Sequence, residues 1–107
     1  AADMSYGQKK QMVIIRFDKP NLQYENALYG AVTQAMERRP NLALDLVAIS
    51  PVSDNTAQNA LNKTAARKNG EAVLRSLTQM GLPMERVALN STTDTTADYS
   101  EVHLYVR

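Results

Sequence analysis

Read for the spacing of its apolar positions, the chain divides into six segments. Met12-Val13-Ile14-Ile15-Arg16-Phe17 is short and β-branched, which suits a strand buried on at least one face. Asp18-Lys19-Pro20-Asn21 is turn chemistry, and Pro20 stops the strand. From Leu22 the period lengthens. Ala27, Leu28, Ala31, Val32, Ala35 and Met36 fall at i, i+3, i+4 spacing and predict an amphipathic helix. Asn21 is its expected N-cap, and Glu25 complements the positive end of the dipole. Glu37-Arg38-Arg39 before Pro40 ends it.

Leu42 to Ile49 predicts a second strand. Only Asp45 interrupts a run apolar on both faces, so this strand belongs in the middle of a sheet. Ser50 to Asn55 reads as a loop, and Thr56 to Met80 as a long helix. Ala57, Ala60, Leu61, Thr64 and Ala65 make one stripe of that helix. Val73, Leu74, Leu77 and Met80 continue it beyond the polar Arg67-Lys68-Asn69-Gly70. A glycine inside a helix costs about 1 kcal/mol relative to alanine, so Gly70 either permits close packing or marks a break. Gly81, Leu82 and Pro83 form a helix stop.

Arg86 to Leu89 predicts a short strand, and Asn90 to Ser100 a polar loop. Glu101 to Arg107 is the last strand. Val102, Leu104 and Val106 face one way, and Glu101, His103 and Tyr105 the other. The order β-α-β-α-β-β predicts an α/β (α+β) two-layer sandwich, with two helices on a mixed four-stranded sheet. The expected core is Val13, Ile15, Phe17, Leu28, Val32, Leu46, Val73, Leu77, Leu89, Val102 and Leu104. Residues 1–11 read as a flexible lead-in to a single domain over 12–107.

Composition removes most other classes. With 107 residues the chain has the length of one domain, and 44% hydrophobic residues can build its core. Twelve Lys+Arg against eleven Asp+Glu leave a net charge of +1, without the basic excess of a nucleic-acid reader. There is no Cys, which excludes disulfides, thiol catalysis and cysteine-ligated metals. A single His leaves little material for a metal centre or a His-paired nucleophile. No stretch approaches the roughly 20 apolar residues of a membrane span. Without an apolar run of signal-peptide length at its start, the chain reads either as a cytoplasmic protein or as a mature or excised piece of a longer one, and the start at Ala1 rather than Met favours the second.

Several stretches together resemble the OmpA-like C-terminal domain family, which includes the periplasmic domains of OmpA, Pal and MotB. They are Arg16-Phe17-Asp18-Lys19 with Leu22, Val47-Ala48-Ile49-Ser50, the run from Ala72 through Gly81-Leu82-Pro83 to Val87, and Glu101 to Val106. The resemblance covers about residues 12–107, and its helix–Gly-Leu-Pro–strand junction is the most specific part. It implies that family's fold and a place in the periplasm as part of a longer exported protein.

The resemblance also implies a ligand, the diaminopimelate of peptidoglycan, held by an Asp in a Thr-Asp turn after the second strand and an Arg in the second helix. A zwitterion wants an acceptor for its ammonium and a guanidinium fork for its carboxylate. This sequence departs at both places. Pro51 stands at the Asp position and Asn69 at the Arg position. Arg67 is about 200° around the helix from Asn69, and Lys68 about 100°. The family's terminal N-R-R-V-E pattern is replaced by Tyr99-Ser100-Glu101-Val102-His103.

The candidate ligand-binding residues are therefore Asp54, Arg67, Lys68 and Asn69, with Asp54 and Arg67 as a displaced clamp. Asp54 reads equally as a turn or cap residue, and Arg67 as a solvated helix residue. Arg67 and Lys68 with Arg75 are a second candidate, for a carboxylate or phosphate. His103 reads as a packing or surface residue. Tyr6, Tyr24, Tyr29, Tyr99 and Tyr105 suit interface anchors, with helix-edge packing the other reading of Tyr24 and Tyr29, and Met36, Met80 and Met84 read as core or junction fillers. No paired catalytic groups, metal cluster or phosphate-binding glycine loop stand in the sequence, so no catalytic residue, metal or cofactor is expected. The expectation is a non-enzymatic structural or protein-interaction domain of the bacterial cell envelope, part of a lipoprotein or an envelope or secretion assembly. Its partners would be other envelope proteins. No nucleic-acid partner and no membrane insertion by this segment are expected, and peptidoglycan anchoring through Asp54 and Arg67 is the alternative.

Overall fold

The structure, a computed structural model, describes residues 10–19 and 21–107. The lead-in reading for residues 1–9, the anchor reading of Tyr6 and the strand-stopping role of Pro20 lie outside the described residues. The element order is β1 (Lys10–Arg16), α1 (Glu25–Arg38), β2 (Leu44–Pro51), α2 (Thr56–Gln79), β3 (Val87–Asp94) and β4 (Glu101–Val106), with a 3-10 turn at Met84–Arg86. One four-stranded sheet runs in the order β1-β4-β2-β3. β4 is antiparallel to β1 and β2, and β3 is parallel to β2. The expected β-α-β-α-β-β mixed sheet with two helices is the observed fold.

Alternation sets the two faces of the sheet. Ile15, Leu44, Leu46, Val102 and Leu104 pack with Leu28 and Val32 of α1 and Val73 and Leu77 of α2 into one buried core. Val13, Phe17 and Leu89 lie partly buried against it. All eleven expected core residues are thus buried or packed on the core, and Leu42 and Leu82 join them. β2 is central and its run from Leu44 to Ser50 is buried throughout. Asp45, which interrupts its apolar run, faces away from the helices and pairs with Arg107, Oδ1 to Nε 3.0 Å.

The helix ends explain themselves locally, with one correction. Asn21 is not the cap of α1. It takes the left-handed conformation with φ 57°, and the helix begins at Glu25 behind Tyr24, which makes no side-chain cap. The left-handed turn uses the tolerance of asparagine for positive φ. Glu25 and Arg38 do occupy the first and last turns, and Arg39 is extended before Pro40. α2 is capped by Asn55, whose Oδ1 accepts from Gln58 N at 3.0 Å. Its end is a Schellman motif. Leu82 N donates to Leu77 O, Gly81 N donates to Thr78 O, and Gly81 stands at φ 102°.

The largest correction is in β3. The expected polar loop from Asn90 contains half a strand, because Val47 to Pro51 pair in register with Asn90 to Asp94. A polar sequence extends a strand here because β3 is an edge, and its Thr92 and Thr93 are β-branched. The loop shrinks to residues 95–100. β2 likewise runs from Leu44 rather than Leu42 and takes in Ser50 and Pro51. β1 begins at Lys10, inside the expected lead-in.

Two side-chain expectations also change. No residue of α2 from Thr56 to Ala65 is buried, so the stripe of Ala57, Ala60, Leu61, Thr64 and Ala65 is not a core stripe. The buried face starts at Ala66 and runs through Gly70, Val73 and Leu77. That stretch covers β2 and β3. Met36 and Met80 pack on the core as expected, whereas Met84 is exposed.

Candidate functional site

β1, β2 and β3 run in one direction and β4 in the other, so three connections gather at one end of the sheet. They are residues 17–24, 52–55 and 95–100. This is the end where the resemblance places a ligand.

The connection into α2 is held by a set of side-chain amides. Asn59 Oδ1 accepts from Ser53 N and Asn59 Nδ2 donates to Ser53 O, both at 2.6 Å. Asn62 Nδ2 donates to Pro51 O at 3.2 Å, and Gln58 Nε2 to Asn62 Oδ1 at 2.9 Å. Sequence reasoning missed Asn59 and Asn62. Their signal was the i, i+3 spacing of asparagines in the first turns of a helix that follows a proline-ended strand.

The sequence-predicted site residues are dispersed around α2. Asp54 is exposed in the connection and Arg67 lies in the twelfth position of the helix, about 16 Å of rise beyond Thr56. Among the described residues Asp54 and Arg67 make no ion pair with each other. Lys68 is exposed and lines no groove with either. Asn69 turns to the opposite flank of the helix from Arg67, as the 200° offset requires. Its Nδ2 donates to Ser100 Oγ at 3.0 Å, and it borders an open groove with Phe17, Asp18, Leu22, Tyr24 and Ala72. Phe17 and Tyr24 meet edge to face there, with ring centroids 5.7 Å apart.

Pro51 ends β2 opposite Asp94. It presents a carbonyl to Asn62 and no side-chain acceptor to the site. Asp94 closes the following turn, its Oδ1 accepting from Thr96 N at 2.8 Å and Thr96 Oγ1 at 2.7 Å. The Thr96 hydroxyl first, then its N–H, hold the Asp94 carboxyl below its ordinary 3.8. Burial opposes them slightly and His103 adds a small attraction.

On the flank that Arg67 faces, α2 and β3 diverge. A groove of about 470 Å³ opens between Ser50, Lys63, Thr64, Ala66, Arg67 and the strand residues Ser91 to Thr93. Sequence reasoning missed Ser91 and Thr93, because the uniformly polar run Asn90–Ser100 read as loop and carries no local signal of its pairing with β2.

His103 lies on the helix-free face, as its alternation with Val102 and Leu104 predicts. Its Nε2 is 2.7 Å from Glu101 Oε1, and its Nδ1 is 3.3 Å from both Tyr105 OH and Gln11 Nε2. Arg16 Nε reaches the other oxygen of Glu101 at 3.3 Å. This is a cross-strand polar network. Among the described residues no cluster of three His, Asp or Glu could hold a metal ion, and no helix is long and apolar enough to cross a membrane.

The fold matches the OmpA-like domain of FopA1 from Francisella tularensis subsp. tularensis SCHU S4 with a TM-score of 0.66. The match covers 87% of this chain and 70% of that one at 12% identity. Two structures of 2C-methyl-D-erythritol-2,4-cyclodiphosphate synthase align less well. Their TM-scores are 0.46 and 0.48, at 19% and 22% identity, over 80% and 83% of this chain and 53% and 57% of theirs. Scores that low carry no argument about this chain. No protein-family model matches the sequence, and no curated protein matches it. The similarity to FopA1 establishes the OmpA-like fold.

Proposed function

We propose that this OmpA-like domain is a non-enzymatic structural or protein-interaction module of the bacterial cell envelope. It works in the periplasm, within a larger lipoprotein or an envelope or secretion assembly. The observation that carries the reading is the Asn69–Ser100 hydrogen bond. At the position where the resemblance has a guanidinium, a neutral amide is tied to the β3–β4 connection. At the matching carboxylate position stands Pro51. Each charge-assisted contact contributes roughly 1.5–3 kcal/mol, so losing both removes about two to four decades of affinity for a zwitterion. A fold without its ligand chemistry supports a protein partner at the loops of residues 17–24 and 95–100 rather than the wall polymer.

Titration with a diaminopimelate-containing muropeptide tests this, together with sedimentation on purified peptidoglycan. The expected result is no saturable binding, unchanged in Asp54→Ala. Saturable binding lost in both Asp54→Ala and Arg67→Ala would restore the anchor reading. Cross-linking in envelope extract, repeated after trimming residues 95–100, tests the positive half. The expected outcome is a defined adduct that disappears on trimming. An adduct that survives trimming moves the partner surface elsewhere. Reproducible turnover of any substrate, lost on replacing His103, would overturn the non-enzymatic assignment.

A further inference from the structure

The helix-facing side of the sheet changes character along its length. The pairs Leu44–Val87 and Leu46–Leu89 are apolar, then Ala48–Ser91 and Ser50–Thr93 follow in register beneath α2. Above them α2 presents Ala66, Arg67 and, one turn earlier, Lys63. Small hydroxyl residues under two cations do not make a core, since they bury little apolar area and leave charges to be solvated. They make a polar wedge of about 470 Å³.

We infer that this wedge is a binding site for a phosphate monoester carried on a small polyhydroxyl body. Its lining has two cationic donors, Lys63 and Arg67, hydroxyl donors on Ser91 and Thr93, and no carboxylate. The Ser50 and Thr64 hydroxyls donate to Pro51 O and Ala60 O, so they line the wedge without serving the ligand as donors. That set attracts an anion and repels a cation. Neither Lys63 nor Arg67 has a carboxylate partner among the described residues, so both charges are available. At i, i+4 spacing their Cβ atoms stand about 5–6 Å apart, which lets both reach one ligand group. A phosphate monoester near pH 7 carries a charge close to −2 and three acceptor oxygens, which uses an arginine fork, a lysine and hydroxyl donors together. A carboxylate offers one charge and two oxygens. The adjoining groove of about 370 Å³ supplies the rest of the site. It shares Arg67 and Ser91 and adds Glu71 and Asn90, acceptors suited to sugar hydroxyls. Asn69 and Ser100 lie on the other flank of α2, so this site is independent of the ligand position that the resemblance implies.

The test is a backbone-amide NMR titration of the folded chain with glucose 6-phosphate, inorganic phosphate, glucose and glucuronate. Glucose 6-phosphate is expected to give saturable shifts confined to residues 63–71 and 90–93. Inorganic phosphate should bind more weakly at the same amides, with glucose and glucuronate silent. Arg67→Ala and Lys63→Ala each weaken binding by about tenfold or more, while Asp54→Ala leaves it unchanged. Glu71→Gln removes the preference for the sugar phosphate over inorganic phosphate. Affinity falls as the ligand is protonated below about pH 6. Linear, non-saturating shifts, equal binding of glucuronate, or saturable shifts around residues 17–24 and 95–100 would each overturn the assignment. Lys63 and Arg67 are exposed, so their variants are expected to fold, and unchanged amide spectra outside the groove confirm it.

Discussion

Gly70 of α2 meets Leu89 of β3 with no room for a side chain. A Cβ at Gly70 would lie 3.0 Å from Leu89 Cδ1 and 3.2 Å from the Ala48 Cβ. The sequence left two readings of this glycine, a break in the helix or a close approach, and the close approach is the observed one. The helix passes through Gly70 without interruption.

The first prediction follows from that contact. Alanine at 70 gains about 1 kcal/mol of helix propensity, but Leu89 must rotate away and the Ala48 Cβ cannot. The two effects nearly offset, and Gly70→Ala should change stability by less than about 1 kcal/mol. Gly70→Val has no such balance, because a branched side chain overpacks the interface, and should destabilise by about 1–3 kcal/mol. Urea midpoints of the two variants check this. A Gly70→Val midpoint equal to wild type would mean that α2 does not seat on β3 as described.

Gly81 shows the opposite situation, open space with a demanding backbone. Nothing lies within 4 Å of a Cβ built there, yet φ is 102°. Gly81→Ala therefore costs backbone strain alone, about 1–2 kcal/mol. Thermal unfolding is the measurement, and a melting temperature unchanged within error would contradict the Schellman stop that seats Leu82 in the core.

These two glycines show which parts of the fold were legible in the sequence. The Gly81 stop carries its own local signal, since Leu82 and Pro83 follow it, and α2 ends there. Strand and helix order was legible for the same reason, because period and punctuation are local. The length of β3 was not. Asn90 to Asp94 form a strand through their pairing with Val47 to Pro51, and nothing local to a polar run distinguishes an edge strand from a loop. The same limit hid the candidate groove, whose Ser91 and Thr93 face α2 only because they are in that strand. The places of Asp54, Arg67 and Asn69 around α2 followed from helical geometry alone. That Asn69 bonds Ser100 did not, because the two are 31 residues apart.

The turn after β3 gives a pH prediction. Bonds from Thr96 lower the folded-state pKa of Asp94 below 3.8, so the carboxylate form is the one the native state prefers. A group of this kind adds stability that is present above the unfolded pKa. The contribution is lost as pH falls through the folded one. The stability difference between wild type and Asp94→Asn should therefore be constant from about pH 6 to 5 and shrink as pH drops below 3.8. Thr96→Val should move the Asp94 titration, followed by its side-chain carboxyl NMR signal, upward. A titration that stays put would show that the Thr96 hydroxyl does not hold the carboxylate.

Asn59 ties the first turns of α2 to the strand end through both of its side-chain polar atoms. No side chain from Thr56 to Ala65 is buried, so little else anchors those turns. Asn59→Ala is expected to raise hydrogen exchange at the amides of residues 59–64 while leaving those of Val73 and Leu77 unchanged. The loss should be local, about 1–3 kcal/mol for the orphaned Ser53 groups if they stay dry and less if water replaces the amide. Uniform acceleration along the whole helix would instead make α2 one cooperative unit down to its cap.

The last prediction asks whether the scaffold or only its chemistry has left the peptidoglycan site. Pro51→Asp with Asn69→Arg would place a carboxylate and a guanidinium at the two positions the resemblance assigns to them. Asn69→Arg breaks the bond to Ser100, a loss of about 0.5–1.5 kcal/mol. Its guanidinium enters a groove that already holds Asp18, which draws it away from a ligand carboxylate. Pro51→Asp gains a backbone N–H but sets a carboxylate opposite Asp94 in the parallel pair, where like charges cost up to about 1 kcal/mol. Neither single variant should bind a diaminopimelate-containing muropeptide. The double variant should bind measurably, by at least about tenfold over either single, because only two converging opposite charges match the zwitterion. Adding Asp94→Asn removes that repulsion but also the carboxylate that Thr96 holds, so it should leave the affinity unchanged without fully restoring stability. If the double variant folds and still binds nothing in calorimetric titration, the end of the sheet differs from the family site in shape as well as in charge. Charge at those two positions would then not be enough for the ligand that the resemblance implies.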